Sequence, residues 1–422
     1  MYTMYTLLQR HGCYDMKLNR VDLSPGVVYR GEGNANLVVA VPGTATVLRL
    51  PKSKYQEKSQ AEKLEAMARY VNQVLRPVLR DFVSPVSIVD LDWAQLETIR
   101  AAVAAARPSK RLAKNVFSPC ALLMEDHCFL TQAGPGPVLA VEIKPKQGFI
   151  HPQLQGEKYC NFCLKQIFKS RNGEDGAVKS KYCPLDLFSG EQARMDTAIQ
   201  NLMNTPKNNL RIFKDGIILH DENSAANRDC DYFISSILGH KSFLPKVLSK
   251  LLRSEPHCDR IEMKISANES LMKDSECSVK LSSPLPENSI LNQVLTLQKC
   301  SLTDEEAEKV LNQLKLTGVD IDSLQHIISE GDTPFPDLTE DLMTKVQDLK
   351  RYCMAVTARD LSIIVAISPD NTASIGNTLL INQKQFRYKL SIIDLDPKNL
   401  QRISKYIENR KLWSDGLLNT SF

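Results

Sequence analysis

The 422-residue chain has no apolar run long enough to span a bilayer. Its start, Met1 to Asn19, mixes Arg, His, Asp and Lys and lacks an apolar signal core. A soluble protein of the cytoplasm, the nucleus or both is expected, with no membrane partner. No glycine turn is followed by Gly-Lys-Ser/Thr, which excludes a Walker A loop, and no strict G-x-G-x-x-G occurs. H-R-D and D-F-G are absent, which argues against a protein kinase. There is no internal repeat and no low-complexity segment. Excess charge is small, a formal +4, so no bulk nucleic-acid partner is expected. The eleven cysteines read as mostly reduced thiols. Cys160-Asn161-Phe162-Cys163 has the spacing of a zinc half-site, but no second C-x-x-C exists; Cys183 or His151 could complete it. Cys163 on an ordinary helix is the alternative.

What is present is ordinary in bulk. Apolar residues make up 43% and charged residues 24%, as in globular proteins. The length allows a large core in two lobes. Charge is uneven, however: residues 381–411 hold eight Lys/Arg against three acids. Such a patch suits a small polyanion better than a long one.

Glu142-Ile143-Lys144-Pro145-Lys146-Gln147-Gly148-Phe149 is the most informative stretch. It follows the apolar Val138-Leu139-Ala140-Val141. In an extended strand Glu142, Lys144 and Lys146 share one face. Pro145 favours extension at Lys144. Ammonium groups bind phosphates as point charges, so the row suits phosphate handling. A solvated edge strand whose lysines discourage aggregation accounts for it as well.

Near the N-terminus, Gly31-Glu32-Gly33-Asn34-Ala35-Asn36 turns into the apolar Leu37-Val38-Val39. Such a turn can lay N–H groups along a phosphate chain. Thr46–Leu50 would complete a hairpin, with Arg49 facing the turn, where a kinase keeps a cation on nucleotide phosphates. Towards the C-terminus, Asp360 precedes a buried strand, and a strand alternating Phe386, Tyr388, Leu390 and Ile392 ends at Asp394-Leu395-Asp396. Phosphoryl transfer needs cations, a carboxylate for Mg²⁺ and a carboxylate for the proton of the attacking hydroxyl. Asp394 fits the metal role and Asp360 the base role, although strand-end aspartates are also common turn residues. Lys398, Arg402 and Tyr406, four apart, share one face of a helix starting after Pro397.

Together with Lys181-Tyr182-Cys183-Pro184-Leu185-Asp186-Leu187-Phe188-Ser189-Gly190, Asn208-Asn209 and Thr357-Ala358-Arg359-Asp360, these motifs stand in the order of the inositol-pentakisphosphate 2-kinases, which the chain resembles. Residues 221–345 resemble that family least. The resemblance implies an α+β, two-lobed inositol phosphate kinase fold, distantly protein-kinase-like, with antiparallel sheets and helices in each lobe. Lobes of residues 1–135 and 136–422 are expected. It implies an ATP- and Mg²⁺-dependent transferase, acting on the axial 2-hydroxyl of inositol 1,3,4,5,6-pentakisphosphate to give the hexakisphosphate, phytate. A monomer is expected.

By the same resemblance, Glu32, Gly33, Asn34, Ala35, Asn36 and Arg49 line the nucleotide phosphates. Asp126 lies at the adenine-binding hinge, and Glu142 and Asn209 contact the nucleotide. Lys144 bridges both substrates, Asp394 holds Mg²⁺ and Asp360 is the base. Arg111, Lys146, Lys169, Asn208, Lys398, Arg402 and Tyr406 are implied as the inositide contacts. Two other readings are a kinase of another inositol phosphate on this fold and an inactive inositide-binding scaffold. The presence of Asp360, Asp394 and Lys144 weighs against the second.

Apolar spacing further predicts helices over 57–80, 94–106, 157–169, 191–204 and 338–356, a strand at 121–124 and a hairpin turn at Asp215-Gly216. Thr303-Asp304-Glu305-Glu306 reads as a capping box. Loops and short helices are expected over 221–290.

Overall fold

The computed structural model describes residues 21–54, 60–130, 136–154, 159–173, 179–224, 228–256, 260–266, 284–330, 339–370 and 377–418. The chain opens with β1 (Val28–Glu32), β2 (Asn36–Val41) and β3 (Thr46–Ser53). Next come α1 (Gln60–Arg69), a π-helical turn (Tyr70–Leu75), α2 (Arg76–Leu79), β4 (Ser87–Asp90), α3 (Trp93–Val103), β5 (Val116–Phe117) and β6 (Cys120–Glu125). They are followed by β7 (Leu139–Ile143), α4 (Asn161–Arg171), α5 (Pro184–Leu187), α6 (Gln192–Asn204), β8 (Leu210–Lys214) and β9 (Ile217–His220). Then come α7 (Arg228–Leu238), α8 (Phe243–Leu252), β10 (Arg260–Met263), α9 (Ile290–Lys299), α10 (Asp304–Leu316) and α11 (Ile321–Ser329). The last elements are α12 (Glu340–Ala358), β11 (Ser362–Pro369), β12 (Thr378–Ile381), β13 (Lys384–Ile393) and α13 (Ile403–Leu418).

Two compact units divide these elements. The first lies within residues 1–72 and 84–126, the second within 73–83 and 127–422. In the first, an antiparallel sheet runs β1-β2-β3-β6-β4, with β5 added beside β3. The hairpin expected from Leu37–Val39 and Thr46–Leu50 is present as β2 and β3, with β1 as a third strand. Alternation puts Leu37, Val39 and Val41 of β2 and Leu48 and Leu50 of β3 into one core, packed with Leu96, Ile99 and Val103 of α3. Asp92 and Gln95 form a reciprocal cap that starts α3.

The second unit holds the sheet β10-β12-β13-β11-β7-β8-β9. It is mixed rather than antiparallel throughout, because β10 pairs in parallel with β12. β11 is buried along almost its whole length between β13 and β7. Runs buried on both faces lose polar alternation, which is how Ser362–Pro369 reads in sequence. The register sets Ile363 against both Ile143 and Ile392. The ends of three neighbouring strands therefore open at one edge of the sheet.

A helical cluster of Leu311, Leu314, Leu324, Val346, Leu349, Ile403 and Ile407 joins α10 to α13. The Thr303/Glu306 capping box starts α10 as expected. Residues 228–252 depart from expectation, forming two full helices of 11 and 10 residues instead of loops and short helices. α8 is buried on nearly all sides, and its Phe243, Leu244, Val247, Leu248, Leu251 and Leu252 recur at helical spacing. Its Pro245 sits in the first turn, where a missing N–H breaks no helical hydrogen bond.

Candidate active site

In the first unit, the exposed turn Gly33-Asn34-Ala35 joins β1 to β2. Gly33 N–H donates to Asn36 O at 3.0 Å, and Lys52 N–H donates to Ala35 O at 2.8 Å. Lys114 Nζ reaches Asn34 O at 3.1 Å. The Glu32 side chain lies beneath this turn, fully buried and paired with Lys52 and Arg107. Its charge serves as a counter-ion there, and only its backbone belongs to the exposed face. Arg107 also donates to Arg111 O at 3.0 Å and Lys114 O at 2.8 Å, so one guanidinium fixes the turn and the segment bearing Arg111. Arg49 lies on β3 opposite Val38, its Nη1 3.9 Å from Met67 Sδ. Asp126 is buried and accepts from Arg30 Nε and Nη2 at 3.1 and 3.0 Å.

In the second unit, residues just beyond the ends of β7, β11 and β13 gather. Lys144 Nζ donates to Asp394 Oδ2 at 2.5 Å. Lys146 Nζ and Lys398 Nζ donate to the two oxygens of Asp360, at 3.1 and 3.0 Å. Ser362 Oγ stands 2.8 Å from Glu142 Oε1 and 3.3 Å from Asp394 Oδ2, linking those carboxylates. Arg211 donates to Glu142 Oε2 at 3.3 Å and to Asn208 Oδ1 at 3.5 Å. Asn209 is buried, and its carbonyl accepts the Lys144 N–H at 2.9 Å. Lys169 lies in the last turn of α4.

Two expectations need correction. β7 ends at Ile143, and Lys146 takes the left-handed φ of 61°, so strand alternation does not reach it. Glu142, Lys144 and Lys146 are not one row, and the two lysines reach different aspartates. Lys398, Arg402 and Tyr406 do not share one helix either. Asn399 caps a 3₁₀ turn at Leu400–Arg402, and α13 starts only at Ile403. Lys398 therefore precedes all helical structure, Arg402 sits in the turn and Tyr406 packs half-buried on the helical cluster. Pro397 marked a boundary, but the asparagine cap two residues on decides where helical structure begins.

The lysines and aspartates tune one another. Burial opposes charge on Asp360, but Lys146 and Lys398 outweigh it and hold the carboxyl well below the usual range. Burial likewise opposes charge on Lys144, yet Asp394 and Glu142 keep its ammonium above the ordinary lysine value. For Lys146 burial wins over Asp360, and its value falls. At neutral pH Asp360 is thus a clamped carboxylate and Lys144 a fixed cation. The donors around Asp394 and Glu142 are hard oxygens, and Asp394 is 41% exposed, so the set fits a divalent cation of the Mg²⁺ class.

A second donor set lies nearby in sequence. The sulfurs of Cys160, Cys163 and Cys183 lie within 4.8 Å of one another. The structure thus brings Cys183, not His151, to the C-x-x-C pair; His151 Nδ1 accepts from Gln153 N–H at 3.4 Å. Tyr182 is buried beside these thiols and donates to Pro145 O at 2.7 Å. Burial and the adjacent thiols push the phenol well up, so it stays a donor to the Lys144–Gly148 loop.

Cations facing carboxylates at the open edge of three strands define a centre suited to phosphate esters. A family model for inositol-pentakisphosphate 2-kinase matches residues 29–411, and the chain belongs to that family. It is similar to the inositol-pentakisphosphate 2-kinase of Danio rerio, with 28% identity over 456 aligned residues covering 92% of each chain. It is similar to that of Arabidopsis thaliana, with 27% identity covering 93% of each chain. A Drosophila melanogaster protein of the same name is 26% identical over 50% of each chain.

Several participants escape sequence reading. Ser362, Arg107 and Arg211 belong to common residue types with no motif spacing. Only Arg211 had a usable signal, standing two residues beyond Asn209 on the strand beside Glu142.

Proposed function

We propose that the second unit binds inositol 1,3,4,5,6-pentakisphosphate and that the 2-hydroxyl is phosphorylated with ATP, giving inositol hexakisphosphate. The observation that carries this reading is Asp360 held between Lys146 and Lys398. Two ammoniums on one exposed carboxylate form a site that a polyanion can enter by competition. Substrate phosphates draw the lysines towards themselves, and Asp360 loses the partners that depress its proton affinity. Its basicity then rises in the bound state, where the hydroxyl proton must be accepted. Lys169, Asn208, Arg402 and Tyr406 complete the inositide contacts of the second unit.

The turn Gly33–Asn36 with Arg49 binds the nucleotide phosphates, and Glu32 acts by bracing that turn. The backbone at Asp126 meets the adenine. Lys144 neutralises charge on the transferring group. Asp394, with Glu142 close by, would hold Mg²⁺, which supplies charge neutralisation on the phosphates. Cys160, Cys163 and Cys183 would hold a zinc-class ion that stiffens the chain behind Tyr182. The two units correspond to the lobes of a distantly protein-kinase-like fold, and the chain works as a monomer in the cytoplasm, the nucleus or both.

A panel of inositol phosphates with Mg-ATP tests the substrate. The pentakisphosphate with a free 2-hydroxyl should be the preferred acceptor; equal turnover of isomers with that hydroxyl blocked points to another inositol phosphate kinase. Lys398→Ala with Arg402→Ala should raise the KM for the pentakisphosphate by roughly tenfold or more at low salt, and the cost should shrink as salt screens the contacts. The KM for ATP should stay within about twofold, a change below ~0.5 kcal/mol. Equal loss for both substrates would move these residues out of the inositide site.

A further inference from the structure

Gln298 occupies the last turn of α9, inside the stretch of 221–345 that resembles the family least. Its side chain is fully buried. Nε2 donates to Lys146 O and to Ala358 O, each at 2.9 Å, and Oε1 accepts the Gly148 N–H at 2.8 Å. Two carbonyls and one N–H converge there, so only a neutral amide in this orientation satisfies all three. One carbonyl belongs to Lys146 itself, and the other lies two residues before Asp360. The chain just beyond Gln298 continues the grip: Arg359 donates to Ser301 Oγ at 3.2 Å and to Asp304 Oδ1 at 3.4 Å. The corner between α9 and α10 thus holds both flanks of the Lys146–Asp360 pair.

We infer that Gln298 is a positioning residue that sets the Lys146 ammonium and the Asp360 carboxylate for the reaction. The inference rests on the roles proposed above for Lys146 and Asp360. Its logic is geometric. Lys146 sits at a left-handed φ of 61°, a conformation a lysine does not choose without restraint. That twist turns its carbonyl to Gln298. Tyr182 holds the preceding carbonyl, and Gly148 packs so closely that an added Cβ would stand 2.2 Å from the Phe188 ring. Without the amide, the loop keeps its packing but loses its tie to the Asp360 turn. A buried carboxylate cannot replace it, because it donates to neither carbonyl.

Gln298→Met keeps volume and removes all three bonds. It should lower kcat by roughly 10–100-fold, as displacement of reacting groups by about 1 Å does, with the KM for ATP within about twofold. Leu248→Ala, buried in α8, which packs on α6 and α7, is the control for stability loss alone: kcat should stay within about twofold while Tm falls. If Gln298→Met fails to fold, Gln298→Glu, which retains an acceptor for Gly148 N–H, decides by the same kcat criterion. The double variant Gln298→Met/Asp360→Asn should be little slower than Asp360→Asn alone, since both act on one step. A Gln298 variant as active as the Leu248→Ala control overturns the inference. Full activity of Asp360→Asn overturns instead the reading on which it rests.

Discussion

Asp360→Asn is expected to lower kcat by roughly 10²–10⁴-fold, while inositol pentakisphosphate binds at least as tightly as to the wild type. An amide cannot accept the hydroxyl proton. It also carries no charge, so Lys146 and Lys398 are no longer held at 3.1 and 3.0 Å by a competing carboxylate. Freed ammoniums meet the substrate phosphates without first breaking two ion pairs. A residue that merely organised the site would show the opposite, a weakened KM at nearly intact kcat. Isothermal titration with the pentakisphosphate, beside single-turnover rates, separates the two.

The same substitution has a signature in stability. The folded Asp360 carboxyl stays ionised well below the ordinary value of about 3.9 because of Lys146 and Lys398. As pH falls below that ordinary value, the unfolded chain takes up a proton that the folded chain still refuses, so acid favours unfolding. The stabilisation is complete above about pH 5 and is lost on further acidification. Thermal melts of wild type and Asp360→Asn should diverge at neutral pH and converge in acid. Because the carboxylate is 54% exposed, high salt should narrow the gap. A gap that widens in acid would contradict the pairing.

Lys144→Ala should lower kcat by roughly 10²–10³-fold and change the KM of either substrate much less. Lys144 is a fixed cation, held protonated against burial by Asp394 and Glu142. On the proposed role its ammonium would meet charge that develops during transfer, so the loss should fall on the transition state rather than on binding. Removal also leaves Asp394 and Glu142 facing each other with Arg211 as the neighbouring cation on Glu142. Lys144→Arg keeps the charge but not the compact head group and should restore only part of the rate. A pure rise in the KM for the pentakisphosphate, with kcat intact, would assign Lys144 to ground-state binding.

Much of the second unit's cluster of lysines and aspartates was legible because its residues sit near strand ends, and strand ends are visible as breaks in apolar runs. Val138 to Val141 and Leu361 to Ile367 are such runs, which Lys144 follows and Asp360 precedes, and Asp394 follows the alternating strand of Phe386, Tyr388, Leu390 and Ile392. What sequence could not supply was the backbone twist at Lys146 and the cap at Asn399. Both are single-residue departures from periodicity, and both changed which groups share a face. α7 and α8 do carry apolar stripes at helical spacing, Cys230, Phe233, Ile234, Ile237 and Leu238 in one and Phe243, Leu244, Val247, Leu248, Leu251 and Leu252 in the other, but they stand in a stretch that is polar as a whole and has no family motif. Gln298, Arg107 and Ser362 were invisible because their partners are mostly backbone atoms or residues far along the chain.

The central claim is that the open edge of β7, β11 and β13 presents an acceptor site for the axial hydroxyl of an inositol pentakisphosphate. Its most direct test is the position of the new phosphate. Wild-type protein is incubated with Mg-ATP and uniformly ¹³C-labelled inositol 1,3,4,5,6-pentakisphosphate, and the product ring is resolved by NMR. The account predicts a phosphorus coupling appearing at carbon 2 in step with ADP release, and its loss in Asp360→Asn. ADP release without any new phosphate on the ring, or a pentakisphosphate left unchanged while another inositol phosphate is consumed, would contradict it.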